Sequence, residues 1–254
     1  MGLRRGYQLH MWKAGAEETS AVPLTLGKLR LLVDHCRGLL HAQNALERCL
    51  TRRDIAAFLL LWESGLRGGD CCPLQGANVR LPDGRLAFPF EEAPPPGSKY
   101  LTAFQGTKTE KAAQCDPGQH EVPIDGANQP YSFIWSLWEL QQQCASEEVL
   151  QPLTVTSYLF RPLEGRLLAN RPLTADGAYQ RFVGALKAAG LYAGESLHSF
   201  RRGRLQSLQA EGLARPELML HGHIRAESTT RRYLDPTRHF KGSKGRKRLH
   251  DATQ

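Results

Sequence analysis

Five polar sites along this sequence combine residue types able to act on a phosphate ester. The first is Ser64-Gly65-Leu66-Arg67-Gly68-Gly69-Asp70, an arginine in a glycine-rich turn directly after an apolar stretch. A guanidinium presented from such a turn can grip an anion through two parallel hydrogen bonds, and Asp70 is placed to orient it. The second is Gly106-Thr107-Lys108-Thr109, where a lysine at a hairpin tip can swing a proton donor toward a substrate; Lys111 can serve in its place. The third is His198-Ser199-Phe200-Arg201, whose i, i+3 spacing puts imidazole and guanidinium on one helical face. Near a helix start, backbone N–H groups and the helix dipole add to the attraction for an anion. The fourth and fifth are Gly222-His223, with His221 two residues earlier as a competitor, and Tyr233 on a short helix after a glycine-marked turn. A phenol has an ordinary pKa of about 10 and becomes a nucleophile only with a base and positive charge beside it. Breaking a phosphodiester without a metal requires positive charge and proton transfer from side chains, and arginines, a lysine and histidines supply both.

The elements that must position these groups follow from periodicity. Leu26, Leu29, Leu32, Val33, Cys36, Leu39 and Leu40 recur at helical spacing. Thr51-Arg-Arg-Asp54 predicts a capping box opening a second apolar helix over Ile55 to Trp62, which Ser64-Gly65 ends. Asn78 to Phe88 reads as a hairpin around Pro82-Asp83-Gly84, and Glu91 to Gly97 as a proline-rich loop. Two more strands are expected at Tyr100–Phe104 and His120–Ile124, flanking the segment that carries Lys108. After Pro130 the chain reads mainly as helix. Thr174 caps a helix bearing Ala178, Phe182, Val183, Leu186 and Ala189 on one face, with further helices over Leu197–Leu213 and Pro216–Leu220. A mainly helical α+β fold with a small antiparallel sheet is the expected architecture.

The charge is uneven. Of 33 Lys and Arg and 25 Asp and Glu, residues 198–254 hold 13 and 5, so this segment accounts for the whole net +8 and residues 1–197 are neutral. A positive field confined to one segment points to a polyanion there, held by phosphate neutralisation and counterion release. No apolar run approaches the roughly 20 residues that span a bilayer. The first residues lack the apolar core of a signal peptide, so the expectation is an intracellular protein, neither secreted nor membrane-bound. The six cysteines form no C-x-x-C pair and are expected to be reduced and mostly buried.

Taken in order, Arg67, Lys108, His198-x-x-Arg201, His223 and Tyr233 resemble the catalytic set of the tyrosine recombinase (phage-integrase) family, over roughly residues 48–240. The phrase His198-Ser-Phe-Arg-Arg-Gly203 resembles the eukaryotic mobile-element type, DIRS-like or Crypton. The resemblance implies a tyrosine-recombinase catalytic domain that breaks and rejoins DNA through a 3′-phosphotyrosyl bond, with no metal and no cofactor. Arg67 and Arg201 would clamp the non-bridging phosphate oxygens, and His198 would accept the proton of Tyr233, the nucleophile. Lys108 would protonate the 5′-oxygen leaving group, and His223 would hydrogen-bond the scissile phosphate.

The implied organisation is an N-terminal lead-in and single helix over 1–47 (a truncated core-binding region), the catalytic domain over 48–240, and a basic tail over 241–254. Arg202, Arg204, Arg231 and Arg232, with Lys241, Lys244, Arg246, Lys247 and Arg248 in the tail, are the expected contacts to double-stranded DNA. A homo-oligomer, a tetramer on DNA, is the implied assembly; the location is the nucleus in a eukaryote and the cytoplasm otherwise. The alternative is a non-catalytic DNA-binding protein that retains the fold. A type IB topoisomerase-like enzyme shares the chemistry, but the short chain and compact Lys108 hairpin suit a recombinase better.

Overall fold

The computed structural model describes residues 21–105, 119–125, 130–147, 150–165, 167–224 and 227–234. Thr25 opens α1 (Leu26–Leu39), its hydroxyl accepting from Lys28 N–H at 3.2 Å. Leu29, Leu32, Val33 and Cys36 form the buried stripe of this helix. α2 (Ala45–Ser64) begins at a reciprocal cap: Glu47 N–H donates to Asn44 Oδ1 at 3.0 Å, and Asn44 N–H to Glu47 Oε2 at 3.1 Å.

The helix start expected at Thr51 is therefore corrected. Thr51, Arg53 and Asp54 lie inside α2 and are buried. Their charges form a network rather than a cap: Arg53 Nη2 meets Asp54 Oδ1 at 2.5 Å, Arg53 Nη1 donates to Arg161 O at 2.6 Å, and Arg181 Nε reaches Asp54 Oδ2 at 2.6 Å. Position 48, drawn from the sequence as a domain limit, falls within α2, and the buried side chains of α1 share one core with those of α2.

α2 continues through Ile55–Trp62, buried on every side, which makes it the central post of the fold. A one-turn helix α3 (Gly68–Cys71) follows, then strand β1 (Val79–Arg80). The turn expected at Pro82-Asp83-Gly84 forms, with Gly84 at φ 87° and Leu81 N–H bonded to Arg85 O at 2.8 Å. Its return arm keeps a single bridge, Arg80 to Leu86. Phe88 and Phe90 turn into the core, and Pro89 between them has no N–H to offer a ladder. β1 instead pairs with β2 (Lys99–Gln105), and β2 pairs with β3 (Gln119–Asp125), antiparallel, in register from Lys99↔Asp125 to Gln105↔Gln119. Both of these strands were expected. The 106–118 segment joining them, with Lys108 and Lys111, lies outside the described residues.

α4 (Phe133–Ser146) packs along α2. A two-stranded hairpin, β4 (Leu163–Glu164) with β5 (Leu167–Leu168), interrupts the stretch read as helical. α5 (Ala175–Ala188) starts at Thr174 as expected, the hydroxyl accepting from Gly177 N–H at 3.0 Å. α6 (Leu197–Ala210) stops short of the expected Leu213 because Gly212 takes up φ 97°. α7 (Arg215–His221) and α8 (Glu227–Leu234) complete the order. The rings of Phe58, Phe182 and Phe200 lie 4.4 to 6.1 Å apart and join α2, α5 and α6 into one rigid unit. The described cysteines, Cys36, Cys49, Cys71, Cys72 and Cys144, are free and buried as expected; Cys115 lies outside the described residues. No described helix is long and apolar enough to cross a membrane.

Gly203 in α6 marks the tightest crossing. A β-carbon there would sit 1.7 Å from Leu24 O and 2.9 Å from the Trp62 ring, so the chain entering α1 can cross α6 only at a glycine. Gly203→Ala is expected to destabilise the protein by about 3 kcal/mol and to lower Tm by roughly 10 °C. A melting curve that superimposes on wild type would show the crossing to be loose.

Candidate active site

The end of α2 is built to deliver Arg67. Ser64 Oγ donates back to Leu60 O at 2.6 Å and accepts from Leu66 N–H at 3.2 Å, while Gly65 takes the left-handed conformation at φ 61°. Arg67 then stands in extended conformation immediately before α3. The next residue packs tightly as glycine: a β-carbon on Gly68 would lie 2.6 Å from Leu197 Cδ1 and displace that side chain. This close approach brings the Arg67 turn against the first residues of α6. Arg67, Asp70, Ala175, Leu197 and His198 thereby line one cleft of 410 Å³. Asp70 N–H also bonds to Arg67 O at 2.9 Å, closing the turn through the backbone.

Arg201 sits one turn beyond His198 and is 1% exposed. Its Nη1 donates to Gly65 O at 2.9 Å and its Nη2 to Gly222 O. The guanidinium carbon lies 5.2 Å from the centre of the Tyr233 ring. Burial pulls the Arg201 pKa down; the Tyr233 phenol opposes this by charge and hydrogen bond, Arg67 adds to it, and Asp70 opposes it. One guanidinium thus joins three distant segments: the turn carrying Arg67, the end of α7 carrying both histidines, and α8 carrying Tyr233. Two of its five donors are taken by backbone carbonyls and one is shared with the Tyr233 phenol, which leaves two that an anion could engage.

His223 has an unusual backbone. Its N–H bonds to Leu220 O at 3.0 Å and the Ile224 N–H to Met219 O at 2.8 Å, the two bonds of a Schellman C-cap. The residue closing such a cap is normally glycine. Here it is His223 at φ 46°, whereas Gly222 before it has φ −80°. A left-handed residue other than glycine costs on the order of 1 kcal/mol and persists where its surroundings impose it. The imidazole is half-buried and perpendicular to the ring of Phe104 in β2, their centres 5.3 Å apart, so the β2 strand packs against the segment carrying His223.

His221, the competitor, behaves differently. Its ring packs beside Gly65, Nε2 lying 3.5 Å from the place a β-carbon would take there. Burial, with Arg204, His223 and Arg201 adding, pushes its pKa from 6.5 down to about 4, so it is neutral at pH 7. Between pH 6.5 and about 4 the unfolded chain gains a proton on this residue that the folded chain refuses, so stability is lost as pH falls through that window. We expect wild type to lose about 2 kcal/mol more than His221→Leu between pH 7 and pH 4.5, partial exposure of the ring screening the rest. Denaturant titrations at the two pH values measure this; equal losses would remove His221 from the account.

Tyr233 is half-buried on α8, beside a small core of Leu205, Leu208, Leu218 and Ile224. Gln206 of α6 donates to its carbonyl at 3.0 Å. The structure therefore brings Arg67 and Tyr233 to the Arg201 guanidinium, with His223 on the segment bonded to Arg201 through Gly222 O and His198 at the adjoining cleft; Lys108 lies outside the described residues.

The expected DNA contacts divide. Arg202, expected to face outward, is 2% exposed, because α6 is covered by α2 and α5 on one side and by α7 and α8 on the other. That expectation is corrected. Arg204 is half-buried, 3.9 Å from Glu211, and Arg231 is exposed and paired with Glu227 at 3.0 Å. The Arg232 side chain and Lys241, Lys244, Arg246, Lys247 and Arg248 lie outside the described residues. Sequence reading missed Glu195 and Lys28, an ion pair beside His198 whose partners are 167 residues apart and leave no local signal.

No protein-family model matches the chain, and no curated protein does. Solved structures do. A XerH site-specific recombinase bound to its difH substrate in a pre-cleavage complex matches with TM-score 0.59 at 14% identity, over 89% of this chain and 54% of that one. XerA recombinase matches with TM-score 0.53 at 14% identity, over 93% and 66%. A lambda integrase dimer bound to a core site matches with TM-score 0.50 at 15% identity, over 87% and 50%. The chain spans about half the length of the XerH and lambda integrase chains. The fold is that of the tyrosine recombinase catalytic domain, mainly helical with a small antiparallel sheet.

Proposed function

We propose that this protein is a tyrosine recombinase that cuts and rejoins double-stranded DNA, serving site-specific recombination or integration of a mobile element. The observation that carries the reading is the Arg201 guanidinium, buried, fixed by two backbone carbonyls and placed 5.2 Å from the Tyr233 ring, under the influence of Arg67. Two arginines beside a phenol fit a phosphorus atom gaining negative charge as it becomes pentacoordinate, since arginine stays charged and presents parallel donors.

In this reading Tyr233 attacks the phosphorus and passes its proton to His198. A 3′-phosphotyrosyl bond forms as the bond to the 5′-oxygen breaks, and Lys108 protonates that oxygen. Arg67 and Arg201 hold the non-bridging oxygens, and His223 hydrogen-bonds one of them from its constrained cap. The protein–phosphate bond keeps the energy of the one it replaced, so a second 5′-hydroxyl can reverse the step and exchange strands. Arg204, Arg231, Arg232 and the basic tail contact the DNA backbone, and several copies act together on DNA, in the nucleus or the cytoplasm according to host.

The experiment uses a nicked DNA that loses its 5′-hydroxyl fragment after cleavage, drawn from a random pool because the target site is unknown. A covalent protein–DNA adduct mapping to the peptide with Tyr233 is the expected result. Salt-sensitive retention of DNA with no adduct at any sequence would replace this reading with a non-catalytic DNA-binding protein.

A further inference from the structure

Residues 22–28, which run into the first turn of α1, form a strap over α6 and the loop before it and touch them at three levels. Leu24 N–H donates to Ser199 O at 3.0 Å, the Leu24 carbonyl crosses α6 at Gly203, and Lys28 Nζ pairs with Glu195 Oε1. Glu195 is 1% exposed and both its oxygens are engaged, the second accepting from Ala193 N–H at 2.6 Å. It lies three residues before His198 and six before Arg201, at the end of a loop turned by Gly194 at φ 96°. Burying the Glu195 carboxylate costs desolvation that an apolar side chain would avoid, while the Lys28 ammonium stays partly exposed, so the pair is weak evidence of stability and better evidence of a fixed geometry.

We propose that Lys28 and Glu195 are positioning residues of the site: their ion pair locks the strap to the loop before α6 and sets where His198 stands relative to Arg67 and Arg201. This rests on the recombinase reading above. The leverage is direct. Leu197 already touches the Gly68 turn, so a shift of the α6 start moves His198 along the cleft it shares with Arg67 and Asp70. Arg201, held by Gly65 O and Gly222 O, resists that shift, so the placement of the His198 imidazole relative to Arg67 and Arg201 changes.

Lys28→Met and Glu195→Gln separate positioning from simple bracing when DNA affinity and single-turnover cleavage are measured apart on the nicked substrate. Both variants are expected to bind DNA within about twofold of wild type yet cleave ~10–100-fold more slowly, the scale set by misplacing reacting groups by about 1 Å. Lys28→Arg, which keeps the charge and the reach, is expected to restore most of the rate. Cleavage at the wild-type rate in both variants, or affinity and rate falling in parallel, would overturn the proposal. If wild-type protein forms no adduct, the recombinase reading fails and amide hydrogen exchange over residues 197–201 decides this one. Faster exchange in Lys28→Met upholds the strap's hold on α6, and unchanged exchange refutes it.

Discussion

Tyr233→Phe is expected to form no covalent adduct while binding DNA as wild type does. The substitution removes the phenol oxygen, with its hydrogen bond to Arg201, and leaves the ring. The ring stays under the Arg201 guanidinium at 5.2 Å and the backbone carbonyl keeps its bond from Gln206, so α8 remains docked on α6. A cation over a ring is worth about 1–2 kcal/mol and phenylalanine retains much of it. The variant therefore stays folded and its defect is chemical. The same nicked substrate, the variant beside wild type, and a denaturing gel suffice. An adduct surviving in the phenylalanine variant would make another residue the nucleophile, and the assembly around Arg201 would then need a different purpose.

Arg201→Lys is expected to lose cleavage by about 10²–10³-fold or more, the cost of removing one preorganised donor from a developing charge. A lysine carries the same charge but cannot serve Gly65 O, Gly222 O and a phosphate together, because its three protons radiate from one atom whereas the guanidinium fork spreads five. At least one carbonyl in a site 1% exposed would lose its partner, which adds about 1–3 kcal/mol of destabilisation. Melting and cleavage measured together separate the two losses. If cleavage persists within about tenfold of wild type, Arg201 braces the site without holding the phosphate.

Much of the frame was legible locally. Thr174 at its cap, the stripe Ala178, Phe182, Val183 and Leu186, and the strand pair around Tyr100 and Ile124 obey short-range periodicity, and the structure has them all. Thr51-Arg-Arg-Asp54 misled because a capping signature and a buried charge network look alike until the partners Arg161 and Arg181 are in place. Arg202 misled because a charged residue read as facing DNA or solvent lies on a helix that other helices cover on both sides.

By itself the sequence determined the inventory: arginines, histidines and a tyrosine in a telling order, positive charge gathered after residue 197, and an apolar helix ended at Ser64-Gly65. Those are properties of neighbours along the chain, set by backbone sterics and side-chain chemistry. Only the tertiary structure decided that His223 and not Gly222 closes the cap of α7, that His221 is held neutral, and that Lys28 reaches Glu195. Each of these depends on burial and on partners far apart in sequence. Desolvation and close packing exist only once the chain has folded around them.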